Sequence, residues 1–157
     1  MTSSESGGRV RMVDVSAKEP SARVAIAEGF LHARSETVER IEARSLPKGD
    51  FIPAVEIAGI LGAKRTPDLL PLCHPIALDS VSVALETQPE MKRIRIVATT
   101  SATARTGVEM EALTAVSIAL LAAYDLLKAI DRDLTIGEIR LLEKRGGRSG
   151  DWKATRA

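Results

Sequence analysis

The 157-residue chain is 45% hydrophobic, which is enough to bury one core, so we expect a single domain. Its 22 basic and 21 acidic residues nearly cancel, which disfavours general binding to nucleic acid or to an anionic membrane and limits any anion site to a local patch. The single cysteine, Cys73, excludes an internal disulfide. The polar N-terminal residues do not resemble a signal peptide, so we expect a cytoplasmic protein.

The two ends of the chain differ in composition from its middle. Residues 1–12 combine Ser, Gly and charge without periodicity, so we expect a flexible N-terminal tail there. Residues 153–157 are expected to form a short flexible C-terminal tail, which leaves residues 13–152 as the folded domain.

Hydrophobic periodicity and turn signals predict the elements between the tails. In chain order they are a strand at residues 23–33, helices at 35–43 and 52–63, a hairpin of strands at 78–85 and 93–98, a long helix at 107–130 and a strand at 134–142. Val24, Ile26 and Phe30 recur at even spacing along the first strand, which predicts a half-buried strand with an apolar face, although Glu28 falls on the same face. This order of strands and helices predicts an α+β ferredoxin-like βαββαβ sandwich, with an antiparallel sheet and its helices packed on one face.

The predicted long helix is apolar nearly all round, which indicates burial by the sheet on one side and by something else, such as a partner subunit, on another. Its longest apolar run, residues 112–124, is shorter than the roughly 20 residues of a transmembrane helix. We therefore expect a core helix.

A proline-rich segment at residues 63–75 contains both Cys73 and His74. Prolines stiffen a loop and can hold functional side chains in place. Metal binding is disfavoured because His32 is the only other histidine and no CxxC or HExxH spacing is present. A nucleophilic Cys73 is disfavoured because adjacent residues rarely orient as a nucleophile and its base. The pattern alone also allows a plain linker between a helix and a strand.

Three charged residues, Glu111, Asp125 and Lys128, interrupt the apolar long helix. Asp125 and Lys128 can meet on one helical face, either as a partly buried ion pair or as a proton-transfer couple with a desolvated lysine. Glu111 lies fourteen residues before Asp125, about 21 Å along a helix, so the two cannot reach one reacting centre within a single chain. If both are functional, they serve opposite ends of a long ligand or sites shared between subunits.

The segment at residues 143–150 is rich in glycine and basic residues. Its amides and cations could wrap phosphate groups, although it lacks the GK[ST] sequence of a Walker motif. Its composition also favours a solvated, mobile terminus. Lys48 lies in a Pro-Lys-Gly-Asp turn, and spacing alone gives it no role.

Six segments occur in an order that resembles one family. They are MVDVS at 12–16, KGD at 48–50, AKRT at 63–66, LCHP at 72–75, GVEMEALT at 107–114 and SGD at 149–151. Together they resemble the MoaC family of cyclic pyranopterin monophosphate synthases over about residues 12–152. The resemblance implies a ferredoxin-like subunit assembled as a homohexamer, a trimer of dimers, with active sites at the dimer interfaces.

The resemblance also implies a lyase reaction of molybdenum cofactor biosynthesis. The substrate would be (8S)-3',8-cyclo-7,8-dihydroguanosine 5'-triphosphate, a nucleotide-derived small molecule, and the products cyclic pyranopterin monophosphate and pyrophosphate. No redox cofactor and no protein-bound metal are implied, and the role of Mg²⁺ with the triphosphate stays open.

Motif position assigns roles to individual residues within this resemblance. Asp125, Lys128 and Lys48 match the catalytic positions, where they would move protons during ring opening and reclosure. The matching substrate-binding positions are Leu72, Cys73, His74, Met110 and Glu111, with Lys64, Lys144 and Arg23 as ligands of the triphosphate. Where relatives can carry other residues, this chain keeps positive charge at Arg105, Arg145 and Arg148.

Without the resemblance, the residues would allow two further functions. One is a non-catalytic oligomeric module that binds a nucleotide or another phosphate ligand, which turnover would distinguish from the enzyme. The other is an interaction protein that uses its apolar helix for a partner, in which replacing Lys48 or Asp125 would leave function intact.

Overall fold

The computed structural model describes residues 10–47 and 49–155. Its elements are β1 Ser21–His32, α1 Ser35–Glu42, α2 Phe51–Lys64, α3 Thr66–Leu69, β2 Ser80–Gln88, β3 Arg93–Ala104, α4 Glu109–Leu127, β4 Thr135–Arg145 and β5 Trp152–Lys153. The five strands form one sheet in the order β2-β3-β1-β4-β5, and every neighbouring pair is antiparallel. The first four strands and the helices between them confirm the predicted α+β ferredoxin-like fold.

Two elements were not predicted. The four-residue helix α3 lies within the proline-rich segment that was interpreted as a loop. Strand β5 lies beside β4, where Trp152 pairs with Lys144 and the Ala154 amide donates to the Leu142 carbonyl at 2.8 Å. Backbone pairing therefore holds Lys153 and Ala154, the first two residues of the predicted C-terminal tail, against the sheet. The predicted N-terminal tail lies mostly outside the described residues.

Helices α2 and α4 cover one face of the sheet and enclose the core. On β1 the side chains that join this core are Ala25, Ala27 and Leu31, which alternate with the residues that the sequence pattern had placed on its apolar face. Gly29 lies in the same row, and a Cβ there would be 2.8 Å from Leu120 and from Val116 of α4. Small residues on β1 thus allow α4 to pack close to the sheet.

The opposite face of β1 carries Glu28, which is 3% exposed. Its two carboxylate oxygens accept hydrogen bonds from Arg95 on β3 at 2.7 Å and from Arg140 on β4 at 2.8 Å. Burial alone would raise the pKa of Glu28, but the hydrogen bonds from Arg140 and Arg95 outweigh burial and lower it. The charged residue that interrupted the predicted apolar face is therefore the centre of an ion-pair network across three strands.

Helix α4 is long and apolar enough to cross a membrane by length and composition alone, with a mean hydropathy of 1.6 in its most apolar window. Half of that window is buried inside the chain, against α2 and the sheet. Close contact with α2 depends on Gly62, where a Cβ would lie 2.8 Å from Ile118. The apolar run at residues 112–124 is too short to span a membrane, but the whole helix of 19 residues is long enough. Its packing, rather than its length, identifies it as a core helix.

Candidate functional site

An apolar cleft of about 730 Å³ opens beside the N-terminal end of α4. The segment after α3 contributes Leu72, Cys73 and His74, and the first turn of α4 contributes Met110. Val13 and Val15 line the cleft as well, so the MVDVS segment lies against it. Four of the substrate-binding residues predicted from two distant segments are thus brought together.

Glu111 lies next to this cleft but is only 2% exposed. Its Oε1 lies 4.0 Å from the Cys73 Sγ, and its Oε2 has no hydrogen-bond partner among the described residues. Burial raises the pKa of Glu111, since the charged carboxylate loses its hydration. Burial and the neighbouring Glu111 also raise the pKa of the Cys73 thiol, which favours the protonated thiol over a nucleophilic thiolate.

A second, basic pocket of about 280 Å³ lies at the other end of the same cleft. It is lined by the six cations Lys18, Arg23, Arg105, Lys144, Arg145 and Arg148. Lys144 pairs with Glu109 at 3.2 Å and Arg145 pairs with Glu143, whereas no ion pair within the described ranges involves the other four cations. Such an excess of positive charge in one concavity attracts a multiply charged anion.

The glycine-rich segment after β4 shapes the wall of the basic pocket. Gly146 and Gly147 have φ angles of +89° and +87°, which disfavour residues with a side chain. A Cβ at Gly147 would lie 1.6 Å from an Arg23 guanidinium nitrogen, so the missing side chain makes room for that arginine. The Gly146 amide donates to Asp151 at 2.9 Å. The segment is therefore held between β4 and β5, as a phosphate-binding wall would require.

The two pockets form one continuous cleft, because Lys18, Thr106, Gly107 and Glu109 line both. Its apolar end suits a flat heterocycle and its basic end suits phosphate groups. Lys18 was missed by the sequence analysis, since it lies just after the MVDVS segment and only the fold brings it to the other cations. Glu109 lies within the GVEMEALT segment, but no role was assigned to it there, because only the fold brings it to the cations of β4.

The other predicted site residues lie elsewhere in the chain. Asp125 and Lys128 form an ion pair at 2.6 Å near the C-terminal end of α4, with both side chains more than half exposed. The hydrogen bond from Lys128 to Asp125 raises the pKa of the lysine. The expected partly buried pair and desolvated lysine are therefore wrong for the single chain, because nothing in the described ranges covers this end of the helix enough to bury the pair.

Lys64 also lies apart from the cleft. It ends α2 and lines a separate concavity of about 410 Å³ together with Ile60 and Val81. Lys48 lies outside the described residues. Within the described ranges, no three His, Cys, Asp or Glu side chains converge in a way that could hold a metal ion. The structure thus separates the cleft from the Asp125–Lys128 pair by most of the length of α4, since Glu111 and Asp125 are about 21 Å apart at 1.5 Å per residue.

Comparison with known proteins places the chain in a family. The model of the MoaC family matches residues 12–147, which is most of the chain and includes the residues discussed above for the cleft except Arg148 and Asp151. This chain belongs to the MoaC family. The match ends within the glycine-rich wall of the basic pocket, so β5 lies beyond the matched region.

Several similar MoaC-family relatives carry the name cyclic pyranopterin monophosphate synthase. The protein of Novosphingobium aromaticivorans is 53% identical over 154 residues, covering 98% of this chain and 97% of the relative. The protein of Roseiflexus sp. is 51% identical over 152 residues, covering 97% and 96%. The protein of Rhodospirillum rubrum is 50% identical over 155 residues, covering 99% and 93%. The similarity therefore extends over nearly the whole length of each protein.

Proposed function

We propose that this chain is a cyclic pyranopterin monophosphate synthase of molybdenum cofactor biosynthesis. It converts (8S)-3',8-cyclo-7,8-dihydroguanosine 5'-triphosphate to cyclic pyranopterin monophosphate and releases pyrophosphate. The name shared by relatives of about half-identical sequence supports the reaction. The observation that carries the proposal from this chain is the continuous cleft, which joins an apolar end to a basic end and so matches a purine-derived ring that bears a triphosphate.

The two ends of the cleft take different parts of this substrate. The ring lies at the apolar end against Leu72, His74 and Met110, while the protonated Cys73 thiol serves as a polar contact. The triphosphate lies at the basic end, where Arg23 and Lys144 bind its oxygens. Lys18, Arg105 and Arg148 add positive charge there. Lys64 lines another concavity, so it reaches a triphosphate only in a neighbouring subunit's site.

Asp125, Lys128 and Lys48 supply the acid and base groups of the reaction. Because the Asp125–Lys128 pair lies at the far end of α4, we propose that each active site takes its cleft from one subunit and this pair from another. A facing subunit would also bury the pair, and desolvation lowers the pKa of a lysine and makes it a better proton donor and acceptor near neutral pH. A homohexamer built as a trimer of dimers provides such interfaces.

Pyrophosphate release from the cyclised guanosine triphosphate tests the reaction. The native protein should release pyrophosphate, and Lys48→Ala and Asp125→Asn should lose most of this activity. Asp68→Asn is a matched control for the second variant, because Asp68 also forms an exposed ion pair with a residue three positions away, Arg65. Tight binding of the triphosphate without release would instead support a non-catalytic phosphate-binding module.

Mixing two inactive variants tests whether sites are shared. Dissociated and reassembled mixtures of His74→Ala and Asp125→Asn should regain activity, since some interfaces then combine a native cleft with a native Asp125. Each variant reassembled alone is the control and should stay inactive. Mixtures that remain inactive, although mass measurements show mixed oligomers, would contradict the shared site.

We further propose that turnover needs no redox cofactor and takes place in the cytoplasm. The chemistry is a rearrangement without net electron transfer. Mg²⁺ would act only as a companion of the triphosphate. Dialysis against EDTA should therefore leave the folded protein intact, and added Mg²⁺ should change the apparent affinity for the triphosphate more than the maximal rate.

A further inference from the structure

Glu109 is the one carboxylate among the described residues that line the basic pocket. It lies in the first turn of α4 and pairs with Lys144 of β4 at 3.2 Å, with both side chains about one-third exposed. A carboxylate that faces an excess of cations occupies the kind of position that a phosphate oxygen would take. Glu109 also lines the apolar part of the cleft, so it lies at the junction of the two ends.

The backbone makes room for this carboxylate. A Cβ at Gly107 would lie 1.8 Å from the Glu109 Oε2 and 2.6 Å from its Cδ. The missing side chain at position 107 therefore leaves the space that the Glu109 carboxylate fills beside Lys144, and a side chain there would displace the carboxylate.

We propose that Glu109 is an internal counter-anion that holds Lys144 in place in the free protein and weakens the retention of pyrophosphate after turnover. This inference rests on the proposed function, in which the triphosphate lies in the basic pocket. It assigns Glu109 a positioning role that also limits product affinity.

The physical argument concerns the difference between substrate and product. A bound phosphate chain brings several negative charges next to the Glu109 carboxylate, and like charges in contact oppose binding. The substrate offsets this repulsion through its ring, which is held at the apolar end of the cleft. Free pyrophosphate has no such second contact, so no other interaction offsets the repulsion between it and Glu109. The ion pair with Glu109 then re-forms as pyrophosphate leaves, which keeps Lys144 ordered for the next substrate.

Calorimetric titration with inorganic pyrophosphate tests this role. Glu109→Gln removes the charge but keeps an oxygen that can accept a hydrogen bond from Lys144. We expect its Kd for pyrophosphate to fall roughly tenfold, a change of about 1.4 kcal/mol. Glu86→Gln is the matched control, because it removes a carboxylate that pairs with Arg95 elsewhere in the chain, and it should leave the Kd unchanged.

Two further readouts separate this role from a purely structural one. Pyrophosphate should inhibit turnover by Glu109→Gln more strongly than turnover by the native protein, whereas a structural defect would not tighten product inhibition. Gly107→Ala, which displaces the carboxylate without removing it, should shift the pyrophosphate Kd in the same direction.

An equal or weaker affinity in a folded Glu109→Gln protein would overturn this inference and leave the proposed reaction standing. No pyrophosphate binding by either protein would overturn the phosphate assignment of the pocket, and the turnover assay would then decide the reaction by itself.

Discussion

Replacing Glu28 with glutamine should lower the free energy of unfolding by about 2 to 3 kcal/mol, because it leaves two arginines of one sheet face without their shared carboxylate. The Glu28 side chain is 4% exposed, and Arg95 and Arg140 approach its two oxygens at 2.7 and 2.6 Å. Glutamine has nearly the same shape, so the change removes charge rather than packing. It also turns one accepting oxygen into an NH₂ group that faces a guanidinium.

The magnitude follows from the geometry. One carboxylate–guanidinium pair at a charge separation of about 4 Å attracts by about 4 kcal/mol at an effective dielectric constant of about 20. Removing one partner of a fully buried pair costs about 3 to 5 kcal/mol. Here the side chains of Arg95 and Arg140 keep 28% and 36% of their surface exposed. Partial rehydration of both guanidinium groups brings the expected loss down to about 2 to 3 kcal/mol.

Urea unfolding at neutral pH and one fixed protein concentration measures this loss, with Glu86→Gln as the control. Glu86 pairs with Arg95 at 3.1 Å but its side chain is 52% exposed, so its loss should cost less than about 1 kcal/mol. The folded-state pKa of Glu28 is lowered, so its contribution is present above the unfolded pKa and is lost as the pH falls through the folded pKa. The difference in the free energy of unfolding between the native protein and Glu28→Gln should therefore become smaller in acid. Equal losses in the two variants at neutral pH would refute the reasoning.

Three further outcomes follow from the structure. Glu111→Gln should raise the free energy of unfolding by about 1 to 2 kcal/mol at neutral pH, as measured by thermal unfolding. Burial raises the pKa of Glu111, so its stabilising protonated form is lost as the pH rises. A gain in stability that does not shrink in acid would contradict this. Gly29→Ala should cost about 1 to 3 kcal/mol in urea unfolding, whereas Gly137→Ala, with no atom within 4 Å of its Cβ, should cost far less. Arg105→Ala and Arg148→Ala should each weaken pyrophosphate binding and reduce its salt dependence in titrations, and an unchanged salt dependence would exclude them from the phosphate site.

The fold was predictable in those segments whose own sequence pattern identifies the helix or strand. The alternation at Val81, Val83 and Leu85, followed by a Pro89 turn, identified the hairpin, and the continuous apolar pattern of α4 identified the long helix. Strand β5 was missed because two residues show no periodicity, and its pairing with β4 depends on a partner outside its own segment. The helix-facing row of β1 was not visible in the pattern, because small residues such as Ala25 are buried by close helix packing rather than by their own hydrophobicity.

The candidate site was predictable in its segments but not in its composition. The resemblance located Cys73, His74 and Met110, and the fold brings them into one cleft. Lys18 and Glu109 could not be found in this way, because their importance comes from charges that converge from separate segments. Electrostatic convergence is a tertiary property, and no spacing along the chain records it.

Helix α4 explains why the cleft and the acid–base pair are separate in one chain. Its buried middle packs against Gly29 and Gly62, and its nineteen residues of continuous helix keep its two ends apart. The first turn presents Met110 and Glu109 to the cleft, and the last turn presents Asp125. A rigid spacer of this length fixes two half-sites at a constant distance, which is unsuitable for a site within one subunit but suits sites that are completed by a neighbour. The proposed sharing between subunits therefore follows from the length of α4, which the core buries as one uninterrupted helix.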